Sequence, residues 1–303
     1  MRAMHPFHRT ELLVGGPAYD KLSASRALVV GLGGVGSYAA EALVRSGVGH
    51  VTMVDFDKVC ITNVNRQLHA TRKTVRKHKV DLMVERAQAI NPKAEVVGHA
   101  LFYSPDTNDA ILGSDDARIP YDVVLDCIDN MSSKLHLITT CVARGVPVIS
   151  AMGAGGRLDP TRIQVTDIAE TRIDPFARIV REQLRKDGIA RGVRCVWSDE
   201  PPNDLDVAAQ EGFVCICPDK ANSPHGCDKR LQVQGSVAWM PSIFGLTMAG
   251  VAAGQLMERD VISKRPGRNW ERMTPVKNKL SKARKKELMA EARSADTVSD
   301  GAP

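Results

Sequence analysis

No two cysteines in this 303-residue chain have just two residues between them, although the chain has seven of them. That absence removes the paired Cys-x-x-Cys signature by which a sequence most clearly announces zinc. Cys60, Cys127 and Cys141 sit in apolar contexts, so cysteine usage fits a reducing compartment and not a disulfide scaffold. Residues Met1 to Thr10 lack the apolar core a secretory signal needs. The expected location is cytoplasmic, with a mitochondrial surface as the variant for a eukaryotic source. Internal repeats of fixed period are absent, and low-complexity sequence is absent outside the tail.

A charge-free run is scarce too. Ser236 to Met257 is a 22-residue stretch with no charged side chain, but Pro241, Gly245, Gly250 and Gly254 interrupt it, so a buried helix is expected and not a membrane span. The chain also lacks net charge over most of its length: its +6 equals the excess of 11 Lys/Arg over 5 Asp/Glu between Lys264 and Pro303. That basic segment reads as a polar helix or flexible arm, compatible with a solvated tail or with nucleic acid.

What is present is an alternation. Buried-strand runs are expected at Ala27–Val30, Val51–Asp55, Glu95–His99, Asp122–Asp126, Pro147–Ser150 and Ile163–Asp167, with helices at Gly36–Ser46, Thr74–Ile90, Asp106–Leu112, Ser132–Arg144 and Pro175–Lys186. Strands alternating with helices imply an α/β, doubly wound, mostly parallel Rossmann-like sheet, with a smaller C-terminal lobe following. The expected division is a nucleotide-binding part over 1–150, a substrate-facing and dimer-forming part over 151–263, and a basic tail over 264–303. Ser198 to Pro224 reads as a loop-rich excursion.

The run Gly31-Leu32-Gly33-Gly34-Val35-Gly36 follows the first strand. Such a turn lets backbone approach a phosphate at a helix N-terminus. An NAD site would use the same glycines and an acid about 20 residues on, a place Asp55 fills. What an NAD site does not require is Arg66, 11 residues after that acid, whose guanidinium fork suits a polyphosphate. Asp126-Cys127-Ile128-Asp129-Asn130 ends another strand. A carboxylate facing a triphosphate implies a cation between them, and Mg2+ is the usual one. Asp129 is the candidate for it, with capping of the following helix by Asp129 or Asn130 as the alternative; Asp126 reads as structural. In the basic stretch 76–79, Lys79 sits beside the buried face of its helix.

These marks together resemble the ubiquitin-activating-type adenylating superfamily: Gly-x-Gly-Gly-x-Gly, an acid after the second strand, Asn-x-x-Arg-Gln, a helix lysine, and Asp-x-x-Asp-Asn. The resemblance implies ATP and Mg2+, with Gly31, Gly33, Gly34, Gly36, Asp55, Asp57, Asn65, Arg66, Gln67, Lys79, Asp129 and Asn130 around the nucleotide. It implies catalytic roles for Arg66, Lys79, Asp129 and Arg9, the last reaching across a homodimer. Within the superfamily, 9–15, 59–70 and 153–167 are similar to the tRNA threonylcarbamoyladenosine dehydratase family. That family activates the threonyl carboxylate of the modified tRNA adenosine beside the anticodon, and the carbamoyl nitrogen then closes a five-membered ring with formal loss of water. The alternative is adenylation of a ubiquitin-like sulfur carrier's C-terminus, and a sulfur-relay partner is a further possibility. For the tRNA reading, Arg157, Arg172, Arg178, Arg181, Arg185, Arg191 and Arg194 are candidate RNA contacts. Cys195, Cys215, Cys217 and Cys227 could form a four-sulfur zinc site or be packed thiols; the sequence leaves both open.

Overall fold

A computed structural model describes residues 5–114, 118–204, 206 and 235–259. Seven strands form one sheet: β1 (Arg26–Val30), β2 (His50–Val54), β3 (Glu95–His99), β4 (Val123–Asp126), β5 (Val148–Ala151), β6 (Ile163–Asp167) and β7 (Arg194–Ser198). Their order is β3-β2-β1-β4-β5-β7-β6. All pairings are parallel except β6 with β7. The central strands are apolar on both faces because both faces are covered. Every residue of β4 and β5 is buried, as a parallel sheet between helix layers demands.

Eight helices are described: α1 (His8–Val14), α2 (Gly16–Ala24), α3 (Gly36–Ser46), α4 (Lys79–Ile90), α5 (Asn108–Leu112), α6 (Met131–Ala143), α7 (Pro175–Lys186) and α8 (Trp239–Leu256). One apolar layer joins α3, α4 and α8 to the sheet through Leu43, Met83, Phe244 and Met248. The opposite layer uses Leu112, Leu137, Ile138 and Val180 from α5, α6 and α7. The segment after residue 151 thus adds β6, β7 and α8 to the same layered body. The uncharged run lies largely within α8, and no described helix is long and apolar enough to cross a membrane.

Strand order reverses between β1 and β4, so the crevice beyond their carboxyl ends is the expected ligand position in such a sheet. Helices α1 and α2 precede β1 where the sequence reading placed no element, and two further elements depart from the expectation. The α4 helix begins at Lys79 and not at Thr74, because Arg76 adopts φ +74° and its N–H donates to Val59 O at 2.9 Å. His78 also bridges Lys58, which holds that stretch out of the helix. The second departure is β7, whose Cys195 pairs with Ser150 on one side and Thr166 on the other. Its apolar core, Cys195-Val196-Trp197, is only three residues long, although Gly192 and Pro201-Pro202 flank it.

Candidate nucleotide-binding site

The glycine turn is shaped by close backbone contact. Gly31 has φ +89°, and a Cβ there would meet Cys127 O at 2.8 Å; one on Gly36 would meet Gly31 O at 1.7 Å. Any side chain at either position would push β1 from β4 or break the entry to α3. Gly33 differs, since a Cβ would find only Gln67 Nε2, at 3.9 Å. Its surroundings leave room for a ligand to approach the backbone. Gly34 lies under α8, where a Cβ would meet Pro241 Cβ at 3.0 Å.

Asp55, just past β2, fastens this turn. Its Oδ2 accepts the Leu32 N–H at 2.6 Å and its Oδ1 the Asp57 N–H at 2.8 Å. Burial pushes its carboxyl pKa up, against the pull of Lys79. Lys79 opens α4, is almost fully buried, and donates to Asp57 Oδ2 at 2.7 Å. Burial disfavours its charge, but Asp55, Asp57 and Asp129 together outweigh that and raise its pKa above the usual lysine value. Lys79 is therefore held as an ammonium among three carboxylates. Asp57 is the open side of that cluster, with a side chain 39% exposed.

Between β2 and α4, Ile61–Asn63 forms a short 3-10 turn that delivers Asn65, Arg66 and Gln67 to the same edge. Arg66 donates to Thr62 O and to Asn65 Oδ1, both at 2.9 Å. Asn65 Nδ2 donates to Ser236 O at 2.9 Å, tying this turn to the approach to α8. Ser37 Oγ donates to Gly33 O and accepts the Leu68 N–H, joining the loop to the glycine turn. Gln67 is buried, yet its Oε1 has no hydrogen-bond partner among the described residues; both ring nitrogens of buried His69 are in the same condition. Unpaired buried polar atoms are costly; the Gln67 amide, beside Gly33, is placed to meet a polar ligand, and His69 lies near enough to Lys79 to feel its charge.

Asp129 lies exposed beyond β4, close enough to Lys79 to act on its charge. Asn130 caps α6 by accepting the Ser133 N–H at 3.0 Å. A surface carboxylate on this edge is a hard oxygen donor of the kind Mg2+ takes when phosphates and water fill its other positions. Arg9 is exposed on α1 and makes no hydrogen bond or ion pair with these side chains among the described residues. The sequence marks from Gly31 to Asn130 thus converge on one edge, and Arg9 stands outside the cluster.

The chain matches the ThiF family over residues 7–284. The chain belongs to the ThiF family. Two of its relatives are tRNA threonylcarbamoyladenosine dehydratases. That of Bacillus subtilis (strain 168) is 42% identical over 264 residues, covering 86% of this chain and 98% of the relative. That of Escherichia coli (strain K12) is 37% identical over 260 residues, covering 84% and 94%. The crystal structure of the E. coli tRNA N6-threonylcarbamoyladenosine dehydratase in complex with ATP is similar to this ThiF-family chain at a TM-score of 0.70. It has 34% identity and covers 84% of this chain and 94% of that one. The same E. coli enzyme in complex with AMP gives a TM-score of 0.69.

Several expectations change on contact with the structure. Cys195 is a core residue of β7 with its thiol pKa pushed well up by burial, the opposite of what a thiolate ligand needs. Cys215, Cys217 and Cys227 lie outside the described residues, as does the basic tail. Among the described residues, His5, His8 and Glu11 are the one group near enough to share a metal ion. His5 Nδ1, however, accepts the Phe7 N–H, which puts the ring proton on Nε2, facing Glu11. Arg157 is buried, paired with Asp174 and donating to Glu200 O, so it is no surface contact. Arg181 likewise donates to Thr171 O and Oγ1.

One central group escaped the sequence reading. Lys134 on α6 is fully buried and donates to Asp126 Oδ2 at 2.5 Å, Ser150 Oγ at 3.2 Å and Ala151 O at 3.0 Å. Ser150 Oγ also donates to Asp126 Oδ2, and Asp126 Oδ1 accepts the Ile128 N–H. The signal was present: Lys134 is the one charged residue in α6, and a lone charge in an apolar helix invites a search for a buried partner.

Proposed function

We propose that this protein is an ATP-dependent tRNA threonylcarbamoyladenosine dehydratase. In this reaction a threonyl carboxylate oxygen attacks the α-phosphorus of ATP, the bond to pyrophosphate breaks, and an acyl-adenylate forms. The carbamoyl group of the same nucleoside then attacks the acyl carbon. AMP departs carrying the carboxylate oxygen, and the proton lost from the nucleophile completes a formal loss of water. Both reacting groups of the second step sit in one molecule, so their effective concentration is high and no protein nucleophile is required.

The observation that carries this reading is the convergence of Arg66, Lys79 and Asp129 on a glycine turn with space at Gly33. Backbone N–H groups of the turn and the start of α3 favour phosphate oxygens. Arg66 would hold the departing pyrophosphate, and Lys79 would draw charge from the phosphates in place of its present partner Asp57. Asp55 would address the ribose, with Asn65, Gln67 and Asn130 as further polar contacts. Asp129 would hold Mg2+, which when bound neutralises phosphate charge. In a homodimer, Arg9 of one subunit would supply a further cation to the site of the other. The alternative carboxylate, a sulfur carrier's C-terminus, would use the same phosphate machinery.

The deciding experiment incubates the protein with ATP, Mg2+ and tRNA bearing threonylcarbamoyladenosine, followed by nuclease digestion and mass spectrometry. A nucleoside lighter by one water, formed together with AMP, is the expected result. A folded, ATP-binding protein that yields neither would refute the reading.

A further inference from the structure

The loop before α7 carries a conformation that its sequence should resist. Ile173 has φ +66°, a left-handed backbone that is a genuine outlier for a β-branched residue. The turn is closed by Asp174 N–H donating to Arg172 O at 2.6 Å. Asp174 imposes it from below: its carboxylate accepts from Gly153 N, Phe176 N and Ala177 N and pairs with buried Arg157. The fold therefore holds Ile173 in a strained turn while leaving its side chain 57% exposed to solvent. Core packing does not explain an apolar side chain displayed in this way.

The turn's position and neighbours indicate what it meets. Gly153 follows the carboxyl end of β5, which pairs with β4, so the turn stands on the same sheet edge as Asp129. One turn along α7, the pattern repeats, with exposed Arg178 beside exposed Ile179. Neither Arg172 nor Arg178 has a side-chain hydrogen bond or ion pair among the described residues. Cations beside exposed apolar side chains match a single-stranded RNA loop, whose phosphates take the charges and whose splayed bases take the apolar surface.

We propose that the Arg172–Ile173 turn and the Arg178–Ile179 pair form the contact for the tRNA anticodon loop, positioning the modified adenosine against the phosphate edge. This assignment rests on the dehydratase reading above. Arg172 and Arg178 hold loop phosphates, and Ile173 is the apolar wedge against an unstacked base.

The test measures tRNA binding across a salt series, together with ATP binding and tRNA-dependent AMP formation. Arg172→Glu/Arg178→Glu should weaken tRNA binding at least about tenfold and flatten the slope of log affinity against log salt by roughly 1.4 to 1.8, with ATP binding unchanged. Ile173→Gly removes the wedge and suits the backbone, so thermal stability should hold or rise while kcat/KM for tRNA falls about fivefold. Wild-type tRNA affinity and salt slope in the double variant overturn the assignment, as does wild-type kcat/KM in Ile173→Gly. If the double variant instead loses affinity for a ubiquitin-like carrier protein and not for tRNA, the surface belongs to a protein partner and the assignment fails. Active wild type with unaffected variants condemns this surface alone; inactive wild type condemns the dehydratase reading and this assignment with it.

Discussion

Two aspartate–lysine pairs among the described residues have nearly equal length and very different character. Asp126–Lys134, at 2.5 Å, is sealed between β4, β5 and α6 with both side chains fully buried. Asp57–Lys79, at 2.7 Å, has a buried lysine and an aspartate 39% exposed. In the first, a serine hydroxyl, a carbonyl and a backbone N–H supply further bonds. In the second, excess carboxylate surrounds one ammonium on a crevice edge. A buried pair with these supplementary bonds specifies packing, since removing either partner strands a charge in low dielectric. A half-open pair can exchange its partner for an incoming anion at little cost.

Breaking each pair from the lysine side should separate the two roles. Lys79→Met is expected to lower AMP formation by about 10³-fold, in line with loss of one phosphate-clamp cation, with a smaller stability loss in urea than Lys134→Met because half-open Asp57 keeps its water; retained turnover would remove Lys79 from the chemistry. Lys134→Met should do the reverse. Stability should fall by about 3–5 kcal/mol in urea titration, from the uncompensated Asp126 carboxylate, and the companion change Asp126→Leu should recover a large part of it. A Lys134→Met variant as stable as wild type would mean that the sealed pair contributes nothing to the fold.

The smallest effect expected concerns His69, whose pKa is pushed down to about 4, first by burial and then by the Lys79 charge. Folded His69 binds its proton less readily than the unfolded chain does, at about 6.5. Its contribution is therefore complete above pH 6.5 and is lost as pH falls toward 4. His69→Gln should remove about 2–4 kcal/mol of that pH dependence, read as a flatter stability profile between pH 4 and 6.5. An unchanged profile would place the acid sensitivity elsewhere.

The contrast also explains what was legible in the sequence. The candidate phosphate edge announced itself because Gly31, Asp55 and Asp129 recur just past strand ends, where the chain must turn and where polar residues stand out against apolar runs, with Arg66 in the loop that follows one of them. The strands β1 to β5 were readable within a residue or two for the same reason. Lys134 was not, because the sequence shows a cation in a helix and nothing marks a carboxylate eight residues earlier as its partner. The start of α4 at Lys79 depended on the left-handed Arg76, a conformation few non-glycine residues advertise. Arg157 read as a surface cation because its counterion, Asp174, is 17 residues away and meets it only through the β5 loop.

The contact between Gly34 and Pro241 has a consequence for the order of synthesis. A Cβ on Gly34 would strike Pro241, and one on Gly245 would strike Val35 O at 2.2 Å, so α8 lies directly on the glycine turn and the first turn of α3. The chain leaves the ribosome from its N-terminus, and the turn is made some 200 residues before the helix that covers it. Until α8 arrives, the apolar face of α3 and the glycine backbone stay open to water, with Asn65 lacking its Ser236 partner. A nascent chain can thus form most of this sheet early, yet completes the edge around the glycine turn only after α8 has been made.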